Sequence, residues 1–63
     1  MDPKSKFLKI YANLPLVARE EIVVVIDHEP LTWNSAKLEI ESNSPRSKDI
    51  LDMLMKLQII KHE

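Results

Sequence analysis

The 63-residue chain is 44% hydrophobic and 30% charged at a formal net charge of −1, with neither cysteine nor glycine. That composition is not that of a disordered chain and excludes a disulfide scaffold, thiolate chemistry and glycine-rich phosphate loops, and no apolar run approaches the ~20 residues of a membrane span. What remains is one module, residues 1–63, near the lower size limit at which a hydrophobic core alone sustains a fold, so that association with a second copy would help it.

In chain order, Asp2 before Pro3 marks a helix start, because the carboxylate can accept from free N–H groups of the first turn and proline leaves no donor unpaired there. Phe7, Ile10, Tyr11 and Leu14 follow at helical spacing, which predicts a helix from Pro3 to about Asn13 inside an N-terminal unit of residues 1–14. Lys4, Lys6 and Lys9 lie largely off this stripe, on a face that reads as solvated, with a nucleic-acid contact as the minor alternative. The N-terminus has no signal-peptide pattern, and the expected compartment is the cytoplasm.

The segment from Pro15 to Asp27 supports two readings. Its run Ile22–Ile26 is entirely β-branched, and Asp27–His28 could turn it into a hairpin with Pro30–Trp33. Against a hairpin, the run lacks polar alternation, Pro30 suits only an edge strand, and Pro15 with Arg19, Glu20 and Glu21 resembles a first helical turn. The preferred expectation is a helix over residues 15–27, with Ala18, Ile22, Val25 and Ile26 facing the core and Val23 and Val24 left as apolar surface for a partner.

Glu29–Leu31 reads as an extended connector, since proline forces the residue before it out of helical geometry. Thr32 then caps a helix over residues 32–41 with Trp33, Ala36, Leu38 and Ile40 inward. Without glycine, left-handed turn positions must fall on other residues, with Asn13, His28 and Asn43 the natural candidates. Ser44 and Pro45 start a last helix over residues 45–57, whose stripe is Ile50, Leu51, Leu54 and Leu57 and whose outer ridge is Lys48, Asp49, Asp52 and Lys56. Gln58 stands at the exit, where Ile59 and Ile60 can fold back on the last turn. Met53 and Met55 widen the apolar arc and could meet another chain. The expected fold class is therefore all-α: four short helices, an N-terminal one and a trihelical core over residues 15–60.

Catalytic chemistry is not legible. His28 and His62 are far apart and have no partner at metal-ligand spacing, so no metal or cofactor is expected. Glu20/Glu21 and Glu39/Glu41 do not converge on one point of a helix surface, which leaves them as solvated faces. Trp33, near a helix start, reads as a core anchor in preference to a binding-site aromatic. Neither an enzyme nor a small-molecule substrate is anticipated, and the wealth of Ile, Leu, Lys and Glu is compatible with a thermophilic source.

The order of Arg19 and Ile22, then Pro30–Thr32, Ala36, Ser44–Pro45, and finally Leu54, Leu57, Ile59 and Ile60 resembles the core of a helix-turn-helix domain of the winged-helix kind, with the wing incomplete. That resemblance implies binding to double-stranded DNA by a dimeric regulator, with Arg46, Ser47 and Lys48 at the start of the recognition-like helix in the groove and Lys37 on a phosphate. Asp49 and Asp52 on the same ridge oppose phosphate. The alternative is a non-catalytic protein-interaction or assembly module on the same scaffold, a homodimer or a heterologous pair, using Val23, Val24, Met53 and Met55.

Overall fold

The structure, a computed structural model, describes residues 2–60. It contains α1 (Pro3–Ala12), β1 (Ile22–Ile26), β2 (Glu29–Thr32), α2 (Trp33–Glu41) and α3 (Ser47–Lys56), with a single 3-10 turn at Ala18–Glu20. The two strands pair antiparallel. The fold is thus a small α+β one, and the expected all-α class with four helices is overturned by the segment 15–27, which is a turn followed by a strand.

The physical reason lies in the burial pattern of β1. Val24 and Ile26 are buried, while Ile22 and Val25 point outward at 61% and 52% exposure. Side chains therefore alternate with a period of two, interrupted by a register shift between Ile22 and Val24 that leaves Val23 as the extra residue of a bulge. The outward positions are apolar too, so the alternation is invisible in residue types. β-branched side chains then tip the segment toward a strand, where their single χ1 preference fits the pleat.

The hairpin closes through Asp27 and His28, both with positive φ, 51° and 68°. Two left-handed residues between Ile26 and Glu29 make the turn whose twist matches the flanking strands, a position pair that usually ends in glycine. A backbone bond from Trp33 N–H to Glu21 O (3.2 Å) continues the pairing past the strand ends.

The helices follow their caps more closely. Asp2 accepts from Ser5 N–H at 2.8 Å, and Thr32 Oγ1 accepts from Ser35 N–H at 3.0 Å. The bond to Ser5 holds the Asp2 carboxyl below its ordinary value of 3.8. Asn43 and Gln58 take positive φ, 53° and 61°, just past the ends of α2 and α3. Each stands in a paired closure: Ser44 N–H donates to Glu39 O and Asn43 N–H to Ile40 O, while Ile59 N–H donates to Leu54 O and Gln58 N–H to Met55 O. Asn13, by contrast, stays right-handed at φ −94°.

α3 begins two residues later than Ser44–Pro45 suggests, at Ser47, with Arg46 in the cap position and no side-chain cap. Ser44 Oγ is used differently, donating to the Glu39 carboxylate and accepting from Arg46 N–H at 3.3 Å.

The core is centred on Phe7, Ile40, Ile50, Leu54 and Ile60, all fully or almost fully buried, with the inner face of the hairpin (Val24, Ile26, Leu31) laid over it. Each such side chain contributes about 1.5–3 kcal/mol by leaving water. Ile60 reaches the core because the Gln58 turn folds the chain back. Leu38 and Leu57, expected in core stripes, are mostly exposed. At the other end Trp33 stacks on Phe7 with centroids 5.6 Å apart, and Arg19 lies over the Tyr11 ring at 4.3 Å while its Nε donates to Tyr11 O at 3.2 Å. That guanidinium closes off the C-terminal carbonyls of α1.

Candidate interaction surface beside the hairpin edge

Among the described residues the sheet has two strands, so each keeps one edge without a pairing strand. The backbone groups facing the open edge of β1 follow from register. Ile26 pairs with Glu29 across the two-residue turn, Val25 with Pro30, and Val24 with Leu31. Pairs in an antiparallel ladder alternate between hydrogen-bonded and non-bonded, and the pair closing such a turn is a bonded one. Val25–Pro30 is then non-bonded, which is the position a proline without an N–H can occupy. The amide and carbonyl of Val25 consequently face away from β2.

Next to this edge runs a groove of about 300 Å³ lined by Val25, Ile26, Asp27, Asp49, Asp52, Met53 and Lys56. The four α3 residues fall at i, i+3, i+4 and i+7, a single ridge of the helix, because the neighbouring ridge, Ile50 and Leu54, is drawn into the core. α3 thus forms one wall and the C-terminal half of β1 the other. Three carboxylates and one ammonium make the groove acidic. Met53 and Val25 supply its apolar surface.

The residues singled out for nucleic acid do not share one free surface. Arg46 is half-buried; its Nη1 lies 2.7 Å from Glu29 Oε1 and its Nη2 is 3.5 Å from Ile26 O, so it ties the start of α3 to the hairpin. Lys37 is paired with Glu41 at 2.6 Å and lies over the Tyr11 ring at 5.2 Å. Ser47 is half-buried at the first position of α3, and Lys48 is exposed beside it. The Arg46–Glu29 pair is open to water on the Glu29 side, so the pairing alone would not bar a phosphate. The carboxylates left behind weigh more: Glu29 beside Arg46, then Asp49 and Asp52 along the exposed ridge.

Of the residues singled out for a partner, Val24 is 3% exposed and belongs to the core. Val23 is half-buried at the bulge, Met55 is half-buried and packs against the core, and only Met53 lines the groove. Val25 and Ile22, core-facing under a helical period, stand outward in the strand, as a period of two interrupted at Val23 places them. Among the described residues no group of three or more His, Asp or Glu side chains could hold a metal, and His62 lies outside those residues. Among the described residues no helix is long and apolar enough to cross a membrane. No family model, curated protein or solved structure matches the chain.

Proposed function

We propose that the chain is a non-catalytic protein-interaction module that presents the outer side of its hairpin, with the adjoining ridge of α3, to another polypeptide. The observation that carries this reading is the exposure of Ile22 and Val25 on the outward side of β1, continuous with a groove that Met53 also lines. Apolar β-branched side chains left in water beside an unpaired strand edge are an aggregation liability in a free monomer and suit a surface that is covered in use.

The helix-turn-helix reading loses the first of its helices to β1, and its basic residues stand among carboxylates. What remains in its favour is the α2–turn–α3 pair with Lys48 exposed at the start of α3. A titration of the full chain with duplex DNA at low and moderate salt separates the two. The module reading expects no saturable binding at moderate salt. Saturable binding that falls steeply with salt, and that weakens when Arg46 and Lys48 are both replaced by Ala, would overturn it.

A further inference from the structure

Building on the interaction-module reading, we infer that the open edge of β1 receives an extended, basic segment of a different protein as an added strand, seated in the groove between β1 and α3. Main-chain bonding at a sheet edge gives such complexes their affinity, and alternate side chains give them specificity. Both elements are present. The Val25 amide and carbonyl point to the open side, as the Val25–Pro30 pairing requires. An added strand lies about 4.8 Å from its neighbour, and its alternate side chains would meet Met53, Asp49 and Asp52 on the wall formed by α3.

Charge selects the occupant. Glu20 and Glu21 precede β1, Asp27 follows it, and Asp49 and Asp52 face the groove, against which only Lys56 is cationic along that ridge. Lys or Arg at every second position of the incoming segment would pair with these carboxylates and lay their aliphatic stems along Met53, with β-branched residues between them on the outward side beside Val25. A second copy of this chain fits poorly. Antiparallel pairing of β1 with itself about Val24 sets Glu21 opposite Asp27 at both ends, and like charges facing each other across strands are destabilising. The same acidic flanks therefore discourage self-association and favour a basic strand.

The test uses the full chain, labelled with nitrogen-15, and three short synthetic peptides. One alternates valine and lysine, one alternates valine and glutamate, and one repeats the valine–lysine sequence with N-methyl groups on the amides of alternate residues. The expected result is saturable binding of the valine–lysine peptide, with shifts confined to Ile22–Asp27 and to Asp49, Asp52, Met53 and Lys56. The glutamate peptide should not bind. N-methylation on the bonding side should weaken binding about tenfold or more, as losing one or two net hydrogen bonds implies. Asp49→Lys with Asp52→Lys should weaken the lysine peptide without altering the hairpin shifts, and Val25→Pro should remove the outward donor. Equal binding of the methylated peptide would mean a charge contact without strand addition and would overturn the inference, as would shifts mapping elsewhere or no binding. A failure of the peptides leaves the module reading standing when duplex DNA also fails to bind, whereas DNA-induced shifts at Arg46 and Lys48 remove that reading itself.

Discussion

The entirely apolar β1 and the amphipathic α3 flank the same groove, and they bury their residues by different rules. α3 buries Ile50 and Leu54 and turns Asp49, Asp52 and Lys56 to water, so each face of the helix carries the residue types its environment calls for. β1 buries Val24 and Ile26 and turns Ile22 and Val25, equally apolar, to water. α3 has an outside that matches solvent. β1 has an outside that does not, and that mismatch is the feature from which an interaction role is argued.

The comparison breaks most readily at Val24 and Val25. Lysine at Val24 would bury an unpaired cation in the core and is expected to cost several kcal/mol, enough to unfold so small a domain. Lysine at Val25 should change stability by less than about 0.5 kcal/mol, because that side chain stands outside. Urea unfolding of the two variants checks this, and the reverse order would place the segment back in a helix with Val25 inward.

The helical counterpart is Leu54→Ala. Leu54 is fully buried at the centre of α3, and its truncation should cost about 2–5 kcal/mol, whereas Asp52→Ala should leave the unfolding midpoint nearly unchanged. Similar small effects from both would mean that this ridge of α3 does not face the core.

These contrasts also explain what could be read from residues alone. The stripes Phe7–Ile10–Tyr11 and Ile50–Leu54, the caps at Asp2 and Thr32, the left-handed turn at Asn43 and the helix exit at Gln58 are local features, each set within a few residues. The hairpin was legible only as an alternative, because the usual signal for a half-buried strand is polar alternation and β1 has none. Pro30 is compatible with the strand because it occupies a non-bonded position opposite Val25. The groove could not be anticipated, since it needs α3 beside β1, and no residue of one signals the other.

The hairpin turn gives a smaller effect with the opposite sign. His28 at φ 68° holds a left-handed conformation that costs a non-glycine residue about 1–2 kcal/mol, partly offset in a glycine variant by the greater entropy of its unfolded chain. His28→Gly should therefore raise stability by about 0.5–1 kcal/mol, or about 4 °C in Tm, and His28→Val should lower it. A glycine variant that melts lower would contradict the turn geometry.

The smallest expected effect is at the α1 cap. The Asp2 carboxyl is held below its ordinary value chiefly by the Ser5 N–H, so its contribution is complete above the unfolded value of 3.8 and fades as pH falls through the lower folded one. Asp2→Ala should remove that slight acid sensitivity from the thermal midpoint, and an unchanged acid profile would argue against the cap.

β1 is a strand with one side bonded and the other open, and native-state amide exchange at Val24, Val25 and Ile26 tests this residue by residue. Paired to Leu31 and Glu29, the Val24 and Ile26 amides should exchange slowly, while the Val25 amide on the open edge should exchange far faster. Uniform protection of all three, as a continuous helix through residues 15–27 would give, would contradict the hairpin, its open edge and the docking role argued from them.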